Sequence, residues 1–179
     1  FECAGCRKMQ PSFDWARSAV RYDGTAKICI RRFKYNAGFW LQDELVDWLV
    51  ALWRTCPRTV RQADFAVGVP LYPKRERERG YNQADLLGKE FGHRVGIPFR
   101  RRVLWRKKAT ATQTHLTAAQ RVHNVKGVFH VPWPGRVRGA KIVLVDDVMT
   151  TGATVNECAR ALKTAGAASV MVLTVARGG

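Results

Sequence analysis

Apolar positions along the chain follow two rhythms. Leu41, Leu45, Trp48, Leu49 and Leu52 recur at the spacing of one helical face, which predicts an amphipathic helix over roughly Trp40–Trp53, with Pro57 beyond its end. Ala84, Leu87, Phe91 and Val95 repeat that spacing and predict a second helix from about Asn82, stopped by Gly96. The other rhythm is the short unbroken apolar run. Asp64–Val69 ends at Pro70 and reads as a buried strand entering a loop, while Ile142–Val145 and Val170–Val175 read as strands buried on both faces. Between the last two, a helix is expected from about Thr154 to Ala165, with Gly166 in the stop position. Strand, helix and strand in so short a span make a βαβ unit with parallel strands. The predicted fold class is therefore α/β, an open, mostly parallel sheet flanked by helices.

The remaining segments lack a clear period. Leu71–Gly80 is dense in charge and reads as a loop. Arg100–Thr114 is strongly basic and reads as a long mobile loop, a length that usually carries function or disorder. Thr117–Val122 suggests a turn or two of helix, Val128–Val131 a short strand, and Pro132–Gly139 a connection rich in proline and glycine. There is no internal repeat and no low-complexity tract.

With 179 residues, 46% of them hydrophobic, the chain can bury one domain core plus a small appendage and is not a disordered polymer. No apolar run reaches the ~20 residues of a membrane helix, and no secretory signal opens the chain. Because it opens on Phe1, it is expected to be trimmed at the N-terminus. Five cysteines, an odd number in a chain able to form a good core, argue against a disulfide scaffold and point to a reducing, cytoplasmic compartment.

Charge changes the picture most. The formal net charge is +17, and the excess is concentrated between Lys74 and Lys126, where fourteen basic residues face four acidic ones. A solvated basic face is the plain alternative. An excess this local, with Tyr81 and Trp105 inside it, favours a polyanionic partner such as nucleic acid or pyrophosphate.

In open parallel sheets, ligands sit beyond the carboxyl ends of the strands. The strand ending at Val145 leads there into Asp146 and Asp147. Paired carboxylates at a buried strand end are costly unless something uses their charge; ribose hydroxyls can donate to them, with hydrated Mg²⁺ nearby. Met149, Thr150, Thr151, Gly152, Ala153 and Thr154 follow at the start of a helix. Backbone amides and hydroxyls there form an anion site, and glycine permits close approach of a phosphate. The order, acid pair then amide cradle, describes a ribose 5-phosphate. The alternative is an ordinary strand-to-helix turn capped by Asp147 or Thr154. A Walker loop is excluded, because no Gly-Lys-Ser/Thr follows the glycine, and the Rossmann fingerprint is absent.

IVLVDDVMTTGAT, residues Ile142–Thr154, resembles the signature of type I phosphoribosyltransferases. The chain as a whole resembles the ComF family of competence-associated proteins. VPLYPKRERERGYNQA (Val69–Ala84), KKATATQTHLTAAQRVHNVKGVF (Lys107–Phe129), YDG (Tyr22–Gly24) and FKYN (Phe33–Asn36) occur in that family's order. The resemblance implies that Asp146 and Asp147 bind the ribose of phosphoribosyl pyrophosphate, held with Mg²⁺, and that Met149–Thr154 bind its 5-phosphate. It also implies that the loop after the first core strand, with Pro70, Leu71, Lys74, Arg75 and Arg79, binds pyrophosphate. A flexible loop would carry Arg106, Lys107, Lys108 and Gln113. Cys3 and Cys6 have the spacing of a zinc half-site; the resemblance makes them the last pair of a four-cysteine Zn²⁺ module. Residues 1–60 are then expected to hold the remnant of that module plus a small hood, and 61–179 the phosphoribosyltransferase-like core.

Two functions follow. One is an enzyme in which a nucleophile displaces Mg²⁺-pyrophosphate from the sugar's anomeric carbon. The other is a non-catalytic protein that handles nucleic acid, single-stranded above all, and keeps the ribose-phosphate site as a sensor or a contact for DNA backbone. The resemblance adds competence, DNA uptake and DNA utilisation as the setting, with other competence proteins as partners. A transcriptional regulator sensing the same ligand is a third option, and no helix-turn-helix pattern supports it.

Overall fold

The computed structural model describes residues 10–35, 38–108 and 124–178. Its centre is the strand read most clearly from sequence, β5 (Lys141–Met149), which is longer than the apolar run that announces it. β5 pairs in parallel with β6 (Ser169–Arg177) on one side and with β2 (Phe65–Gly68) on the other. β1 (Trp15–Arg21) pairs in parallel with the far side of β6, giving the order β1-β6-β5-β2. A hydrogen bond of 2.6 Å between the Ser18 and Thr174 hydroxyls pins the β1–β6 register where Thr174 has no access to water.

Strand side chains alternate between faces, so both faces of β5 need cover. Ile142 and Leu144 pack with Val155, Cys158 and Leu162 of α5 (Ala153–Thr164). Val143 and Val145 pack on the other face, where three helices supply the cover. These are α1 (Gly24–Tyr35), through Ile30 and Phe33; α2 (Gln42–Thr55), through Leu45, Leu49 and Trp53; and α4 (Gln83–Val95), through Leu87 and Phe91. Trp53 meets Phe91 edge to face at 5.5 Å, locking α2 onto α4. Asn82 caps α4 by accepting from the Ala84 amide, and Gly96 ends it with a left-handed φ of +74°. The helix boundaries inferred from hydrophobic spacing hold here to within about two residues; at the start of α2 the offset is the 3-10 turn of Phe39–Leu41.

Two segments differ from their sequence reading. Leu71–Gly80 is not a plain loop: Pro73–Arg79 form a short helix, α3, with proline in its first turn and Gly80 at its left-handed end. It buries none of its residues, so no hydrophobic period announces it. Arg100–Thr114 is not loop from its start either. Val103 and Leu104 enter the core, and β3 (Trp105–Arg106) pairs antiparallel with β4 (Phe129–His130). Gln113, Thr117–Val122, Cys3 and Cys6 lie outside the described residues.

Candidate functional site

β2 ends at Gly68, and β5 runs on past it. Val69 donates its amide to the Val145 carbonyl, and beyond that point β5 is paired only with β6. This leaves a step at the carboxyl edge, where Asp146 and Asp147 sit and Asp146 lines a small cavity. Gly68 lets β2 approach α4: a Cβ there would stand 2.8 Å from the Ala84 backbone carbon and the Asp85 nitrogen. The Asn82 amide group donates to the Val69 carbonyl at 3.1 Å, tying the far end of the Pro70–Tyr81 segment back to the strand it left.

Both carboxylates are buried, Asp146 at 9% exposure and Asp147 at 3%. Strand alternation puts Asp146 on the Ile142–Leu144 side and Asp147 on the Val143–Val145 side. Their neighbours agree. Lys34, at the end of α1, brings its ammonium to 2.8 Å from Asp147 Oδ2. The attraction is mainly Coulombic, with a smaller hydrogen-bonding contribution between the same two groups. Burial pulls the Lys34 pKa down, but Asp147 and then Asp146 more than reverse this, and the ammonium is held above its usual range. Asp146 accepts the Asp147 amide at 2.9 Å. Burial, with the neighbouring Asp147 charge, still pushes the Asp146 carboxyl up to about 8, against the opposing pull of Lys34, that amide and Arg106.

The next turn is the segment from which the sequence predicts an anion cradle. Met149 closes β5, and Gly152 is the residue before α5, with φ +83° and ψ 0°, a conformation glycine adopts without the cost to a Cβ. Neither Asp147 nor Thr154 takes the capping position, and no side chain caps the helix from it. Thr151 Oγ1 accepts from Ala153 N at a long 3.4 Å. Asp146 and Met149–Thr154 together line a small cavity of about 30 Å³. The ribose and phosphate residues inferred from sequence are thus adjacent at one strand end.

The cationic residues are divided. Arg75 and Arg79 line a cavity of about 510 Å³ with Lys34, Tyr35, Phe39 and Tyr81. Arg79 lies over the Tyr35 ring at 5.1 Å, and Phe39 and Tyr81 pack at 4.7 Å. Pro70 and Leu71 instead line a second cavity, of about 300 Å³, with Arg100–Arg106. There Arg101 bridges Asp85 at 3.0 Å and Glu76 at 2.7 Å. Burial raises the Asp85 pKa despite that partner. Lys74 is exposed on α3 and lines neither cavity. Arg106 is turned inward over Phe129 at 5.6 Å. Burial lowers its pKa; Cys158 and Asp146 oppose the shift, and Arg75 adds to it. Lys107 and Lys108 are exposed. Lys34 and the rings of Tyr35, Phe39 and Tyr81 were not singled out by spacing; the FKYN string contains Lys34 and Tyr35, the GYNQA string Tyr81, and neither contains Phe39.

Among the described residues no group of three or more His, Cys, Asp or Glu could enclose a metal. Two adjacent buried carboxylates, one of them raised in pKa chiefly by burial, nevertheless offer the oxygen donors that suit Mg²⁺ arriving with a phosphorylated ligand. Cys29, Cys56 and Cys158 are free thiols, and the last two are buried. No described helix is long and apolar enough to cross a membrane.

A parallel sheet whose central strand ends in an acid pair and a glycine-capped helix defines a type I phosphoribosyltransferase fold, and residues 89–179 match the phosphoribosyl transferase domain family. Competence protein F of Haemophilus influenzae is 35% identical over 98% of this chain and 78% of its own length. DNA utilization protein YhgH of Salmonella typhi is 44% identical over 98% and 77%. Competence protein ComFC of Bacillus subtilis is 34% identical over 90% and 63%. Purine phosphoribosyltransferase from Pyrococcus horikoshii covers 78% of this chain and 84% of its own, at 19% identity and a TM-score of 0.48. The chain belongs to the ComF family of type I phosphoribosyltransferase-like proteins.

Proposed function

We propose that the protein binds phosphoribosyl pyrophosphate with Mg²⁺, and that it serves the competence or DNA utilisation for which its relatives are named. The observation that carries the reading is the junction at the end of β5, where two buried carboxylates lead directly into a helix that starts at the left-handed Gly152.

Asp146 and Asp147 accept from the ribose hydroxyls, and the amides and hydroxyls of Met149–Thr154 hold the 5-phosphate at the positive end of α5. The pyrophosphate lies toward Arg75 and Arg79, on the Lys34 side, with Pro70 and Leu71 shaping the loop and Lys74 adding long-range field. Mg²⁺, when bound, neutralises pyrophosphate oxygens and makes that group a better leaving group. Lys107 and Lys108, exposed just after β3, add cationic donors for the ligand's phosphates, and Arg106 packs over Phe129 behind them. The cavity walled by Tyr35, Phe39 and Tyr81 suits a flat acceptor next to the sugar.

Phosphorus NMR tests the binding: with Mg²⁺ present, the 5-phosphate resonance should broaden or shift on adding the protein. A spectrum unchanged at equimolar protein contradicts it. Pyrophosphate release across a panel of bases and amines tests transfer, and release with one acceptor class would identify the enzyme. The basic excess between Lys74 and Lys126 supports single-stranded nucleic acid as a second partner.

A further inference from the structure

Away from the strand-end site, one surface combines exposed indoles with unbalanced positive charge. In the β3–β4 ribbon Trp105 stands opposite His130, and Trp133 follows β4 closely in sequence. Trp105 is 41% exposed and Trp133 47%, although indoles have among the most to gain from burial. Their rings meet edge to face at 6.2 Å, and Trp105 packs on His130 at 6.4 Å. The Arg136 guanidinium lies 4.7 Å over Trp133. Trp105 Nε1 donates to the Arg102 carbonyl at 3.0 Å, which fixes the ring and satisfies its only donor. What remains on offer is π-surface. His130 adds to it as a neutral ring, because burial and then Lys107 lower its pKa.

Residues 100–108 and 129–138 contain eight arginines and lysines and no acid. Arg101 is committed to Glu76 and Asp85, and Arg106 is turned inward, but Arg102, Lys107 and Lys108 are exposed. Strand alternation accounts for the arrangement, since Trp105 faces out where its neighbour Arg106 faces in.

Exposed rings alone would suit an apolar peptide, and exposed cations alone would suit any polyanion. The combination selects a polyanion that also carries accessible π-faces. A double helix hides those faces in its stack, and a single strand presents them. We propose that Trp105 and Trp133, braced by Arg136, form a stacking platform for the bases of single-stranded nucleic acid, with Arg102, Lys107 and Lys108 contacting its phosphates. This locates the nucleic-acid partner of the function proposed above and rests on that half of the reading.

The test is fluorescence anisotropy of a labelled oligothymidylate with the full chain, titrated at several salt concentrations. Base–aromatic stacking energies correspond to about a five- to hundredfold loss of affinity for each indole removed. Trp133→Ala and Trp105→Ala should each weaken binding within that range, and Trp105→Phe/Trp133→Phe should recover most of it. Lys107→Gln/Lys108→Gln should flatten the salt dependence, because fewer counterions are displaced. Binding of phosphoribosyl pyrophosphate by the tryptophan variants should stay unchanged, which also reports that they fold. If the wild type binds and Trp105→Ala/Trp133→Ala binds within twofold of it, the platform is overturned while the nucleic-acid partner stands. If the wild type does not bind at low salt, both fall.

Discussion

Asp146→Asn separates the charge at the strand end from its shape. The asparagine keeps an oxygen to accept the Asp147 amide but cannot ionise. In the folded protein the Asp146 carboxyl is pushed up to about 8 by burial and by Asp147, whereas an unfolded aspartate titrates near ~4. Between those values the folded state holds the proton and the unfolded state has lost it, so folding stability falls as pH rises through this window and levels off above it. At about 1.4 kcal/mol per pH unit the ceiling is roughly 5–6 kcal/mol, and relaxation of the strand end would leave a few. Urea denaturation of wild type and Asp146→Asn at pH 5, 6, 7 and 8 measures the effect. Groups that titrate alike in both proteins cancel in the difference. The variant should gain on the wild type steadily with pH. A stability difference that stays constant from pH 5 to 8 would refute the reasoning, because it would mean that Asp146 is ionised throughout.

The same carboxyl should make ligand binding proton-linked: at pH 7 up to about 0.9 proton should be released as ribose hydroxyls and Mg²⁺ favour the ionised form. Calorimetry in buffers of different ionisation enthalpy reads that number, and zero release at pH 7 would contradict it. Lys34→Met leaves Asp147 buried without its partner and should cost about 3 kcal/mol in denaturant unfolding. A loss under ~0.5 kcal/mol would show that the ion pair carries little. Gly152→Ala forces a Cβ into a φ of +83° and should cost about 1–2 kcal/mol, together with at least a tenfold loss of affinity for the 5-phosphate. Equal affinity in this variant would remove Gly152 from the cradle.

The βαβ unit from β5 to β6 was legible because both strands are buried on both faces, so burial is written as an unbroken apolar run. α2 and α4 were legible because each turns a broad apolar stripe to the sheet. β1 was not: it is an edge strand with two exposed arginines and mostly half-buried positions, and its pairing with β6 depends on residues more than 150 positions away. α1 buries only Ala26, Ile30 and Phe33 among many cations, a stripe too narrow to stand out. α3 buries nothing and is set by Pro73 and Gly80 at its ends.

The site divides in the same way. The acid pair and the Gly152 turn are contiguous in sequence, and local order fixes their geometry. Lys34 is one of 31 lysines and arginines, and only the tertiary fold brings it 2.8 Å from Asp147. Pro70, Leu71, Arg75 and Arg79 are close in sequence yet line two cavities, because α3 turns them apart. The Trp105–Trp133 contact likewise depends on β3 pairing with β4 across a long intervening segment.

The central claim is that the end of β5 binds phosphoribosyl pyrophosphate through its acid pair. Isothermal titration with the ligand and Mg²⁺ tests it most directly, using the wild type and Asp146→Asn/Asp147→Asn. The wild type should bind with saturable heat at one site, and the double variant should lose at least tenfold in affinity, about 1.4 kcal/mol. No heat with the wild type, or the same isotherm from both proteins, would contradict the account.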